Sequence, residues 1–127
     1  MAAQDQKASA AVGRAGEHLA LAHLSLAGYS CTLCQIKNHD AYIQTDTRVL
    51  TLQVKTASKT HGSSQSHKFY TPKKGAAMSD VFAFVSIDLK AVVFRRGDEL
   101  STVTTYVTTK EFLEENQSMQ KTFESFK

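Results

Sequence analysis

A chain of 127 residues suits one domain, and 42% hydrophobic content with a single proline excludes a disordered or low-complexity polymer. The formal charge of +3 is a mild bias toward polyanions, too small to be a nucleic-acid signature by itself. No apolar run is long enough to cross a bilayer, and Met1 to Ala11, carrying Asp5 and Lys7, lacks the apolar segment of a signal peptide, so a cytoplasmic protein is expected.

The single domain is expected to span residues 1–127, with residues 1–8 a polar, flexible tail. From about Ser9 a helix begins. Val12, Ala15, Leu19, Ala22 and Leu26 recur at spacings of three and four and predict a core-facing stripe, and Gly28 suits the C′ position. A second apolar line, Ala10, Leu21 and Leu24, predicts a helix covered on both sides, and Glu17 falls on that second line. A carboxylate on a largely apolar face is costly unless it is paired or bound to a metal.

Strands follow over Tyr29 to Leu33, Ala41 to Thr45 and Val49 to Lys55, separated by the turn-prone Lys37-Asn38-His39-Asp40 and Asp46-Thr47-Arg48. The second and third read as a hairpin. In the third, Leu50, Leu52 and Val54 share one face, while Gln53 and Lys55 point together to the other. Cys31 and Cys34, the only cysteines, lie three apart in Tyr29-Ser30-Cys31-Thr32-Leu33-Cys34, which reads as extended, so their thiols face opposite sides and read as reduced packing residues. A zinc site would need two further ligands.

Residues 56 to 79 are polar and read as a long irregular loop with four lysines and no acid. Val81 to Ile87 is a strongly apolar strand, and Asp88-Leu89-Lys90 turns it back through Ala91 to Phe94. Thr108 and Glu111 have capping-box spacing for a helix through about Asn116, and Phe123 and Phe126 are placed to dock on the body or on another chain. The order predicts a mixed α/β domain around a central sheet of about five strands.

Asp40, Gln53, Lys55 and Glu17 are the residues on which chemistry can be built. Hydrolysis of a phosphodiester needs an activated water, stabilisation of developing charge and help for the leaving oxygen, all of which a divalent cation supplies. Magnesium prefers oxygen ligands. Asp40 is the natural anchor, the amide oxygen of Gln53 and the carbonyl of Val54 are neutral ligands, and Glu17 would bind directly or through water. Lys55 would orient or deprotonate the water and stabilise charge.

Glu17, Asp40 and Gln53-Val54-Lys55 resemble the motif set of the PD-(D/E)XK nuclease superfamily: a helical glutamate, an aspartate opening a strand, and an acidic-x-lysine on the next strand. The surroundings, Gly13-Arg14-Ala15-Gly16-Glu17, Gly28-Tyr29 and Leu52-Gln53-Val54-Lys55-Thr56, are similar too. The resemblance spans roughly residues 10 to 96, with its anchoring motifs within 13 to 56. It departs from the pattern in lacking a proline before Asp40 and in having Gln53 where an acid is usual. The glutamine variant is most similar to the branch containing a group I intron homing endonuclease. The resemblance implies a restriction-endonuclease-like core, Mg²⁺ with Mn²⁺ as substitute, DNA as substrate, and Glu17, Asp40, Gln53 and Lys55 as the catalytic set.

Each residue also has a plainer reading. Glu17 pairs with Arg14 or Lys55, Asp40 is a turn residue, and Gln53 and Lys55 belong to a solvated strand face. Lys59, Lys68, Lys73, Lys74, Arg95 and Arg96 are candidate phosphate contacts, with Phe69 or Tyr70 for stacking, against ordinary solvated charge. His18, His23, His61 and His67 have no metal-ligand spacing. The expected protein is a small DNA endonuclease acting as a homo-oligomer, since so short a chain offers little surface for reading a long site. The alternatives are a non-catalytic nucleic-acid-binding or assembly module on the same fold, and an interaction protein that uses Phe123 and Phe126.

Overall fold

The computed structural model describes residues 2–36, 39–57, 66–70, 79–100 and 104–127. In chain order these form α1 (Ala2–Leu26), β1 (Ser30–Ile36), β2 (His39–Gln44), β3 (Val49–Ala57), β4 (Ser66–Tyr70), β5 (Val81–Ser86), β6 (Ala91–Arg96), β7 (Thr104–Thr108), α2 (Thr109–Leu113) and α3 (Glu115–Glu124). A 3-10 turn, Gly97–Glu99, follows β6.

Every residue of β5 is buried, as a near-continuous apolar run must be when neighbours flank it and layers cover both its faces. It pairs in parallel with β3 and antiparallel with β6, and β3, β2 and β1 continue outward as antiparallel neighbours. The order β1-β2-β3-β5-β6 is the mixed five-stranded sheet that the sequence predicts. A parallel step needs a crossover, and the chain between β3 and β5 contains β4, which pairs with β7 in a separate two-stranded ribbon. That is a correction: Ser66–Tyr70 is a strand within a stretch expected to be irregular throughout, and β7 was not anticipated.

The sheet has two differently built faces. Leu50, Leu52 and Val54 of β3 pack with β5 and β6 residues against Ala20 and Leu24 of α1 and Met119 and Phe123 of α3. On the other face, Phe82, Phe84 and Val93 pack against Phe69 and Val107 of the ribbon and Phe112 of α2.

The buried line of α1 is Gly16, Ala20 and Leu24, whereas Ala15, Ala22 and Leu26 of the expected stripe are exposed, Leu26 at 88%. The covered face lies between the two expected lines and shares only Leu24 with the second, whose Ala10 is exposed and Leu21 half-buried. Close approach selects small residues there: a Cβ on Gly16 would lie 1.9 Å from Thr56 Oγ1. α1 also starts at Ala2, before the expected Ser9. It ends as a Schellman motif, with Gly28 at φ +96° and the N–H groups of Tyr29 and Gly28 donating to the carbonyls of Leu24 and Ser25. The Thr108–Glu111 capping box forms, but its helix stops at Leu113 and α3 follows. Phe123 docks on the body, 4.6 Å from the Tyr29 ring, and both cysteines are free thiols.

Candidate functional site

The β2–β3 ladder runs from Gln44 opposite Val49 to Ala41 opposite Leu52 and stops short of Asp40 and Gln53. β3 nevertheless stays paired with β5 as far as Ala57 opposite Ser86. From Gln53 onward, one edge of β3 therefore faces a gap. The Asp40 side chain spans it, its Oδ2 accepting a hydrogen bond from the Val54 N–H at 2.7 Å. A carboxylate replaces the main-chain carbonyl that would have continued the ladder. A strand residue directs its N–H and C=O to the same edge, so the Val54 carbonyl opens toward Asp40.

Strand alternation turns Gln53 and Lys55 away from Leu52 and Val54, and the parallel register sets them beside Phe82 and Phe84. Gln53 Oε1 is shielded from solvent and, among the described residues, has no hydrogen-bond partner. Leaving an amide oxygen so costs about 1–3 kcal/mol and calls for an explanation. Lys55 is half-buried and, among the described residues, has no ion-pair partner.

The structure thus brings Asp40, Gln53 and Lys55 to one face of the sheet. Glu17 arrives differently. It follows Gly16, which is pressed against Thr56, so α1 carries this half-buried carboxylate to the same end of β3 from the helix-covered side. Among the described residues no three His, Cys, Asp or Glu side chains form a metal-ligand cluster. The oxygen-bearing groups that β2 and β3 carry at this edge are instead the Asp40 carboxylate, the Gln53 amide and the Val54 main-chain carbonyl.

The expected basic contacts divide. Arg95 is paired with Glu111, and Arg96 with Asp98 at 2.7 Å while also donating to Ser125 and lying over the Phe126 ring. Burial pushes the Glu111 carboxyl up, but hydrogen bonds from Arg95 and Thr108 bring it net below the usual range. Lys68 is on β4, with its ammonium over Tyr70. Lys59, Lys73, Lys74 and His61 lie outside the described residues. His18 is exposed and His23 half-buried on α1.

Two features went unseen in the sequence. Asp80 Oδ2 accepts from both the N–H and the hydroxyl of Thr51, and the Asp80 N–H donates to Thr51 Oγ1, which fixes the start of β5 two residues before Gln53. An aspartate directly before an apolar strand was the available signal. His67 is fully buried, with Nε2 2.8 Å from Ser86 Oγ. Burial holds its pKa below the ordinary value, partly opposed by the field of Asp88. The alternation of His67 with Phe69 was its trace in the sequence.

No family model and no curated protein matches this chain. Among solved structures it is similar to a bacterial homing endonuclease, I-Ssp6803I, with a TM-score of 0.65 and 12% identity over 76% of this chain and 72% of that one. The fold is restriction-endonuclease-like. The expectation of a restriction-endonuclease-like core, a mixed five-stranded sheet flanked by helices, is therefore borne out in the architecture. A restriction-endonuclease-like fold does not carry its activity with it, so function has to be argued from the edge of β3.

Proposed function

We propose that this protein is a Mg²⁺-dependent endonuclease, accepting Mn²⁺ as substitute, that hydrolyses phosphodiester bonds in DNA and works as a homo-oligomer. The observation that carries this reading is Gln53 Oε1, a shielded oxygen with no partner among the described residues, on the residue next to the Val54 N–H that holds the Asp40 carboxylate. Oxygen donors of this kind suit a hard cation. Asp40, Gln53 and the Val54 carbonyl would hold it, with Glu17 reaching it directly or through water. Such an ion supplies Lewis acidity toward a phosphoryl oxygen and lowers the pKa of bound water.

The chain's own residues do the rest. The Val54 N–H fixes the Asp40 carboxylate, so its orientation does not have to be found during the reaction. Lys55, on the same face as Gln53 and unpaired among the described residues, orients the attacking water and faces the charge that develops on phosphorus-bound oxygens. Phe82 and Phe84 beside them lower the local polarity, which strengthens both effects. The fold shared with a homing endonuclease supports nuclease chemistry by analogy.

The test is nicking of supercoiled and branched DNA with Mg²⁺, Mn²⁺ or EDTA, wild type beside Asp40→Ala. Metal-dependent cleavage lost in the variant is the expected result. A second reading has one observation in its favour, the neutral Gln53 in place of an acid. It is a non-catalytic nucleic-acid-binding module, and it predicts DNA binding without cleavage and little response to Mg²⁺.

A further inference from the structure

The β4–β7 ribbon turns His67, Phe69, Thr105 and Val107 inward, where all four are buried. Alternation leaves Ser66, Lys68, Tyr70, Thr104, Tyr106 and Thr108 facing out. Tyr70 and Tyr106 are 67% and 54% exposed, which is unusual for rings on a structured strand. Lys68 stands opposite Tyr106, and Tyr70 opposite Thr104, so the two rings are diagonal neighbours and the lysine adjoins both, one across the ladder and one along its own strand. The Lys68 ammonium lies 5.2 Å from the Tyr70 ring centroid. Single exposed apolar residues are ordinary, but a cation over one exposed ring, with a second exposed ring across the ladder, is a surface with a chemistry.

Charge points the same way. Residues 58–79 and 100–109, which contain both strands and their flanks, carry four lysines and no acidic residue, while the rest of the chain is slightly acidic. Position adds a third observation. His67 ties the ribbon to Ser86, and Ser86 pairs with Ala57, two residues beyond Lys55. The ribbon is thus anchored at the open end of β3, on the face that carries Gln53 and Lys55. A two-stranded antiparallel ribbon also fits the major groove, which is about 12 Å wide.

We infer that the outward face of the β4–β7 ribbon is the surface on which duplex DNA lies, with Lys68 on a phosphate and Tyr70 and Tyr106 against the groove; the inference rests on the nuclease reading above. The probe is a fluorescein-labelled duplex of mixed sequence, its anisotropy followed against protein in EDTA over a range of salt. Tyr70→Thr with Tyr106→Thr, which keeps strand propensity, should weaken binding about tenfold or more. Lys68→Gln should lower the salt slope by about one, whereas Lys121→Gln, on α3 across the sheet, should leave it unchanged. Circular dichroism of each variant separates lost contact from lost fold. If wild type binds and the ribbon variants, folded, bind equally well, the ribbon assignment is overturned and the nuclease reading stands. If wild type binds no DNA, both fall. Tighter binding to the matching single strand than to the duplex would overturn the duplex assignment.

Discussion

Leu52 and Gln53 are neighbours on β3 and face opposite halves of the molecule. Leu52 enters a mostly aliphatic layer beneath α1 and α3, where buried polar groups find partners: Phe94 N–H donates to Ser118 Oγ, and Thr122 Oγ1 donates to the Phe94 carbonyl. Gln53 enters the aromatic layer beneath the ribbon. Among the described residues, both shielded side-chain polar atoms without a partner, Gln53 Oε1 and His67 Nδ1, belong to residues on that second side. The helix-covered face is finished as packing, and the ribbon-covered face retains unmet polar capacity. Stability and chemistry are therefore expected to respond to different substitutions even where these are adjacent in sequence.

The largest separation should come from Lys55→Ala. Cleavage measured under single-turnover conditions should fall about 100- to 10,000-fold, while denaturant stability stays within about 0.5 kcal/mol of wild type. Unchanged cleavage would remove Lys55 from the mechanism. Leu52→Ala should do the reverse to stability, costing about 2–5 kcal/mol in urea unfolding through lost burial and a residual cavity. A cost well under 1 kcal/mol would mean that the helix-covered face is not the tighter one. Gln53→Leu should sharpen the contrast, because replacing an unsatisfied buried amide with an apolar side chain is neutral or stabilising by about 1 kcal/mol. The same variant should lose metal binding by calorimetry, and clear destabilisation would show that the amide has a structural partner.

The smallest effect is one of pH. His67 has a folded pKa below its unfolded value of 6.5, so below pH 6.5 the unfolded chain binds the proton that the folded one refuses. The contribution is fully present above pH 6.5 and is lost as pH falls from there through the folded pKa, at no more than about 1.4 kcal/mol per pH unit. His67→Gln should flatten the stability profile in that window, and an unaltered profile would place the titration elsewhere.

What was legible in the sequence was what local chemistry decides. The Gly28 helix stop, the β2–β3 and β5–β6 hairpins and the Thr108–Glu111 cap could be read because turn, cap and alternation are short-range signals. The order of Glu17, Asp40, Gln53 and Lys55 pointed to the fold that the structure shows, and it is the basis of the site proposed above. The covered face of α1 was misjudged because the sheet chose its smallest residues: Gly16 is a poor mark of burial by hydropathy, yet its missing Cβ is what admits Thr56. β4 was hidden because its inward residues are a histidine and a phenylalanine between polar ones, and its partner β7 lies well downstream. The ending of the β2–β3 ladder at Ala41 and Leu52, which creates the open edge, is a matter of long-range register and had no local trace.

The most direct test of the central claim, that this open edge binds a cation through Asp40 and Gln53, is a Mn²⁺ titration followed by electron paramagnetic resonance. Wild type, Asp40→Asn and Gln53→Glu would be compared without DNA. One Mn²⁺ site is expected in wild type, lost in Asp40→Asn and equal or tighter in Gln53→Glu. Indistinguishable Mn²⁺ binding by wild type and Asp40→Asn, or clear weakening in Gln53→Glu, would contradict it.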